Sequence, residues 1–190
     1  MTRTDKAIEF AVAAHSGVTR KGSGIPYILH PLETAAIAAS LTEDENVIIA
    51  AILHDTIEDT SVTEAQIREN FGEQVLDIVL GCTEDKMKEL PAEHTWQRRK
   101  EHTLAYLGSS APQNVKIVML ADKLSNIRSL YSDYKKIGDA VFERFNQKDK
   151  FMHGWYYQGI ISALSEFDGT YAYEELCNLV EKVFGGQFDL

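Results

Sequence analysis

His54 and Asp55 stand side by side at the end of an apolar run, and Glu58 and Asp59 follow one helical turn later. At 100° per residue, positions 54, 55, 58 and 59 share one stripe, so these four ionisable side chains are expected to project together. Three of the four are acids, and at an exposed helix C-terminus each opposes the macrodipole by about 0.3–1 kcal/mol. A solvated helix end would leave that cost uncompensated, whereas a cation held by the stripe would offset it. Asp122 is a second ionisable group in an apolar context. Val115, Val118/Met119, Asp122 and Ser125/Asn126 follow an i, i+3/4, i+7 spacing, which places Asp122 on the apolar side of its helix. A buried carboxylate needs a partner. Lys123 is adjacent and points about 100° away, so it is a poor candidate, which leaves a metal or a cation from elsewhere. His30, just before Pro31, either caps a helix or supplies the imidazole that completes a mixed site of two histidines and two aspartates.

Helices must hold these side chains. A first is expected over residues 5–15, with Ile8, Ala11, Val12 and His15 on one stripe, before a break at 17–27 that contains three glycines and Pro26. His30-Pro31 opens a second, whose apolar face is read as Leu32, Ala35, Ala36 and Ala39. Thr42 followed by Glu45 has the pattern of a capping box, and the helix it starts carries the apolar residues 47–53 directly into His54. Further helices are expected from about residue 61, then over 72–79, 92–107, 112–130, 140–164 and 173–184. No segment alternates like a strand, so the fold class is all-α.

Composition narrows the function classes. The 190 residues are 44% hydrophobic and 25% charged, with 12 Gly and 4 Pro, which fits one packed domain spanning 1–190. Nineteen basic against 29 acidic residues give a net charge of −10, which argues against nucleic-acid binding; an anionic ligand would need a local basic cluster or a metal. The longest apolar run, residues 47–53, is far short of the roughly 20 residues of a membrane span, so no membrane partner is expected. The opening Met1-Thr2-Arg3-Thr4-Asp5-Lys6 lacks the apolar core of a secretory signal, and the expectation is a cytoplasmic protein. Cys82 and Cys177, without a CxxC spacing, read as reduced and half-buried. The oligomeric state is left open.

His30, His54-Asp55 and Asp122, in that order, resemble the signature of HD-domain metal-dependent phosphohydrolases, and the flanking residues are more specific. Arg20-Lys21-Gly22-Ser23-Gly24-Ile25-Pro26-Tyr27-Ile28-Leu29-His30-Pro31, His54-Asp55-Thr56-Ile57-Glu58-Asp59-Thr60 and Ala121-Asp122-Lys123-Leu124-Ser125-Asn126-Ile127-Arg128 resemble three motifs of the RelA/SpoT-type alarmone hydrolases. Thr83-Glu84 and the stretch from Trp96 to Lys100 fit as well. The resemblance covers nearly the whole chain and is to a small, stand-alone hydrolase without a synthetase domain. It implies an all-α HD-domain helical bundle, a bound Mn²⁺, and hydrolysis of the 3′-diphosphate of guanosine 3′-diphosphate 5′-di- or triphosphate, with GDP or GTP and pyrophosphate as products.

Residue chemistry assigns roles beside that resemblance. His30, His54, Asp55 and Asp122 as ligands leave coordination positions open, which distinguishes a catalytic from a structural metal site. Glu58, one turn beyond, is read as the general base and Asp59 as its helper. Arg20, Lys21 and Ser23, around a Gly-Ser-Gly turn, offer charge and backbone N–H groups to phosphates. Asn126 is expected to contact ribose or base, and Lys100 a phosphate. Trp155, Tyr156 and Tyr157 read as core, and His15, His94, His102 and His153 receive no role. Two other classes compete: a non-catalytic nucleotide-binding regulator, and an HD-domain phosphatase acting on another nucleotide, such as a nicotinamide cofactor phosphate or (p)ppApp. The intact set of ligands with Glu58 and Asp59 favours an enzyme.

Overall fold

The computed structural model of the chain describes residues 1–84 and 92–185, with residues 92–94 as backbone only. The domain expected over 1–190 therefore includes two stretches, 85–91 and 186–190, outside the described residues. Among the described residues the fold is all-α, with one isolated antiparallel bridge between Thr19 and Pro26. The helices are α1 (Arg3–Ala14), α2 (Leu29–Ala38), α3 (Glu45–Leu53), α4 (Thr56–Asp59), α5 (Glu64–Phe71), α6 (Glu73–Cys82), α7 (Ala92–Ser109), α8 (Gln113–Ile137), α9 (Lys150–Ala163) and α10 (Tyr171–Phe184). No described helix is long and apolar enough to cross a membrane.

The chain forms two compact units. The first comprises Met1–Thr83 and Pro112–Ser125. Its centre is α3, which packs on α1, α2 and α6. Ile49, Ala50, Ala51, Ile52 and Leu53 are all essentially inaccessible, and each large aliphatic side chain among them contributes about 1.5–3 kcal/mol of burial. The part of α8 in this unit adds Val115, Val118 and Met119 from the expected stripe, with Asp122 and Ser125 buried on it as well. The second unit comprises Glu84–Ala111 and Asn126–Leu190. There α9 packs on α7 and α10, and Gly159 lets the two helices approach closely: a Cβ at that position would sit 2.5 Å from a Leu104 methyl, so the Leu104 side chain would have to shift.

Several element boundaries differ from the periodicity. His54, Asp55, Glu58 and Asp59 do not continue α3: that helix ends at Leu53, and a separate short α4 begins at Thr56. Side chains cause the break. His54 Nδ1 takes the Ala51 carbonyl at 2.8 Å, the Thr56 hydroxyl donates to the Leu53 carbonyl at 2.7 Å, and both carbonyls are thereby diverted from the helical ladder. The N-cap of α3 is Asp44 rather than Thr42. The Asp44 carboxylate accepts from Asn46 N–H at 2.8 Å, while Thr42 accepts from Asp44 N–H one step outside the helix. On α2, Ala36 and Ala39 are exposed, and the buried face is Pro31, Thr34, Ala35, Ile37 and Ala38. The helix expected over 140–164 is a 3-10 stretch, Gly138–Arg144, followed by α9, because the Asp149 side chain accepts from Phe151 N–H and starts a new helix there. Conversely, α8 runs past the expected end at residue 130 to Ile137.

Candidate metal centre

Three helices of the first unit deliver the site. His30 lies in the first turn of α2, His54 caps the C-terminus of α3 with Asp55 next to it, and Asp122 lies on the buried face of α8. His30, His54 and Asp122 are buried, and each offers one ligand atom within 4.8 Å of the others'. His30 Nε2 stands 3.2 Å from Asp122 Oδ1 and 3.6 Å from Asp55 Oδ2; His54 Nε2 stands 3.1 Å from Asp55 Oδ2 and 3.8 Å from Asp122 Oδ1. Two donors each about 2.1 Å from one ion and at right angles are about 3.0 Å apart, so these separations match neighbouring corners of a coordination shell. The fold brings these four side chains together although they are up to 92 residues apart in sequence (122 − 30).

The donor set fits a cation. The Ala51 carbonyl can only accept, so His54 Nδ1 carries the hydrogen and Nε2 faces the carboxylates. That Nε2 is buried and makes no hydrogen bond, although two carboxylate oxygens lie within 4 Å. Burial by itself disfavours a charged His54 ring, but the Asp55 and Asp122 carboxylates outweigh it and push the imidazole well above its usual range. Burial likewise opposes the ionised carboxylates. The His54 ring holds Asp55 below the usual carboxylate range, and the Lys123 ammonium, with contacts from both histidines, does the same for Asp122. Positive charge belongs at this point, supplied by a proton on the His54 ring or by a divalent ion that replaces it.

Lys123 is a correction to the sequence reading. Its ammonium lies 2.7 Å from Asp122 Oδ2, leaving Oδ1 for the histidines. A 100° separation at Cβ does not bar contact, because the four-carbon arm curls back onto the neighbouring carboxylate. Glu58 is half-buried and Asp59 exposed, both on α4 directly after His54 and Asp55. Arg20, Lys21 and Ser23 lie in the loop between α1 and α2. There the Arg20 N–H donates to the Ile25 carbonyl, Gly22 adopts φ 75°, and Ser23 Oγ accepts from Ile25 N–H at 3.4 Å. The Arg20 guanidinium stands 5.8 Å from the Tyr27 ring centre.

Asn126 and Lys100 belong to the second unit. Lys100 is committed there to Glu84 at 2.6 Å, a carboxylate that also takes Arg99 at 2.9 Å and Thr103 at 3.1 Å, and its ammonium lies 4.8 Å from the Tyr156 ring centre. Tyr156 and Tyr157 are buried, as expected for core, and Trp155 is half-buried. His102 is exposed, and the side chain of His94 lies outside the described residues.

Sequence reasoning missed Tyr27, Ser125, Glu33 and His15. The Tyr27 hydroxyl donates to Asp55 Oδ2 at 2.5 Å and lies 3.4 Å from Asp59 Oδ2, bridging Asp55 to Asp59 on α4. Burial and the Asp55 charge push the Tyr27 phenol far up, so it remains a donor. His30 Nδ1 is 2.8 Å from Ser125 Oγ, which is 2.7 Å from Glu33 Oε2. His15 is buried with its ring centre 4.9 Å from that of Tyr27, and burial lowers its pKa against a partial offset from Asp55. A signal existed for Ser125, a polar residue one turn beyond Asp122 on an otherwise apolar stripe.

The HD domain family model matches residues 7–148 of the chain. Over 142 residues the chain is 37% identical to a guanosine-3′,5′-bis(diphosphate) 3′-pyrophosphohydrolase of Aquifex aeolicus (strain VF5), covering 73% of this chain and 20% of that protein. It is 40% identical over 126 residues to the GTP pyrophosphokinase rsh of Brucella ovis, covering 66% of this chain and 16% of that protein. The chain thus spans a fifth or less of the length of these curated relatives. Among solved structures, lmo0812 from Listeria monocytogenes EGD-e is 32% identical with a TM-score of 0.70, covering 82% of this chain and 98% of that one. The fold is also similar to that of a metazoan ortholog of SpoT described as hydrolyzing ppGpp and playing a role in starvation responses. The TM-score is 0.73 at 24% identity, over 100% of this chain and 98% of that one.

Proposed function

The chain belongs to the HD-domain family, and from that premise we propose that it is a Mn²⁺-dependent hydrolase converting guanosine 3′-diphosphate 5′-di- or triphosphate to GDP or GTP and pyrophosphate. The observation that carries the reading is the convergence of two buried imidazole Nε2 atoms and two carboxylates on one point. The Aquifex aeolicus relative, by its name, supports the substrate class. Two carboxylates harden a site that imidazoles alone would leave to softer ions, which favours Mn²⁺. We assign residues 1–190 to one hydrolase domain, cytoplasmic, whose partner is a small nucleotide rather than a nucleic acid or a membrane.

When bound, the ion supplies Lewis-acid polarisation of the phosphoryl group and a lowered pKa for the attacking water. Each remaining step falls to the chain. His30, His54, Asp55 and Asp122 hold the ion. Glu58 accepts the proton of the water, and Asp59, 3.4 Å from the Tyr27 hydroxyl, helps to orient it. Arg20, Lys21 and Ser23 bind phosphate oxygens, the positive φ of Gly22 helping to turn backbone N–H groups outward. Incubating the Mn²⁺-loaded protein with a panel of 3′- and 2′-phosphorylated nucleotides tests the reading. Turnover of the guanosine 3′-diphosphates above all others is expected, and preferential turnover of a nicotinamide cofactor phosphate would replace the substrate assignment.

A further inference from the structure

Resting on that metal-centre reading, we propose that Glu33 acts through Ser125 as a positioning residue for His30, fixing which ring nitrogen faces the ion. The hydrogens can go only one way. Ser125 Oγ stands 2.7 Å from Glu33 Oε2 and 2.8 Å from His30 Nδ1. A carboxylate accepts only, and a serine hydroxyl carries one hydrogen, so that hydrogen goes to Glu33. The Ser125 oxygen is then left to accept from His30 Nδ1–H. This places the other ring nitrogen, Nε2, toward Asp122 Oδ1 and Asp55 Oδ2.

The two ligand histidines are held in the same tautomer by different means. His54 Nδ1 donates to a neutral backbone carbonyl, that of Ala51. His30 donates into a hydrogen-bond chain that ends on a carboxylate, and a charge at that end makes the distal nitrogen a stronger donor to a metal. The placement is built into the helices. Glu33 follows His30 by three residues on α2, and Ser125 follows Asp122 by three on α8, so each ligand-bearing helix contributes one member of the relay one turn beyond its ligand. Ser125 and His30 are both essentially sealed from water, so the hydrogen bond between them is shielded from solvent, while Glu33 at the end of the chain is half-buried.

The test is Mn²⁺ binding to the full chain in the absence of nucleotide, followed by the electron paramagnetic resonance signal of free Mn²⁺, together with nitrogen-15 shifts of the His30 ring. Ser125→Ala is expected to weaken Mn²⁺ about 10- to 100-fold and to shift His30 away from the Nδ1–H tautomer. Glu33→Gln keeps an acceptor oxygen but not the charge, and is expected to weaken Mn²⁺ by less while leaving the tautomer as in the wild type. If Ser125→Ala does not fold, Glu33→Gln decides alone, and wild-type affinity in it overturns the relay. A wild type that binds Mn²⁺ while Ser125→Ala binds it equally tightly, with an unchanged tautomer, removes the relay and leaves the metal centre standing. A wild type that binds no Mn²⁺ overturns the centre and the relay together.

Discussion

Asp122 divides its two oxygens between two tasks: Oδ1 faces the imidazoles and Oδ2 is held by Lys123. Removing that carboxylate leaves the imidazoles one anionic partner short, so Asp122→Ala is expected to lose Mn²⁺ binding and turnover together, checked by metal content of the purified variant. Glu58 makes the opposite case. It follows the ligands on α4 and is not needed to complete four-coordination, so Glu58→Gln should retain its metal and lose about 10²- to 10⁴-fold in kcat. Loss of the metal in that variant would make Glu58 a ligand. The four candidate ligands could be singled out in the sequence because each is an ionisable residue at a helix end or on an otherwise apolar stripe. The partners of Tyr27, Ser125 and Glu33 were not legible there, because they act across sequence separations of 28, 95 and 92 residues, which no local period records, although Ser125 itself stood out as a polar residue on an apolar stripe.

At the scale of the element, the break between α3 and α4 turns Asp55 toward His54. Thr56 helps to hold it, fully buried with its hydroxyl on the Leu53 carbonyl. Thr56→Val keeps the shape and removes the donor, so a loss of about 1–3 kcal/mol in urea unfolding is expected, from a buried acceptor left unmade. Periodicity located the helices but not this break, since the polar side chains that divert the carbonyls act within a single turn. The same competition moved the start of α3 to Asp44 and that of α9 to Asp149.

His153 gives α9 a pH dependence. Burial lowers its pKa, the Gln147 carbonyl partly offsets this, and Lys100 and Asp149 act in opposite directions. Because the native ring resists a proton that the unfolded chain takes up near pH 6.5, the unfolded state binds more protons below that value. The contribution of His153 is therefore complete above about pH 6.5 and is lost as the pH falls toward the lowered native value. The urea midpoint of the wild type should fall more between pH 8 and pH 5.5 than that of His153→Leu, and equal falls would contradict the assignment.

For the molecule as a whole, a net charge of −10 and the proposed polyanionic substrate are compatible only if the ion and a few basic side chains make a local positive site. Metal binding must then be linked to folding: at 100 times its dissociation constant, Mn²⁺ should stabilise the native state by about 2.7 kcal/mol. A rise in Tm with Mn²⁺, absent in Asp122→Ala, checks that linkage. The account turns most directly on which phosphate leaves and whether the ion is required. Phosphorus NMR of guanosine 3′,5′-bis(diphosphate) incubated with chelated and with Mn²⁺-restored protein reads both at once. Pyrophosphate with GDP in the restored sample and no turnover in the chelated one is the predicted result. Orthophosphate as the first product, or equal turnover in both samples, would contradict it.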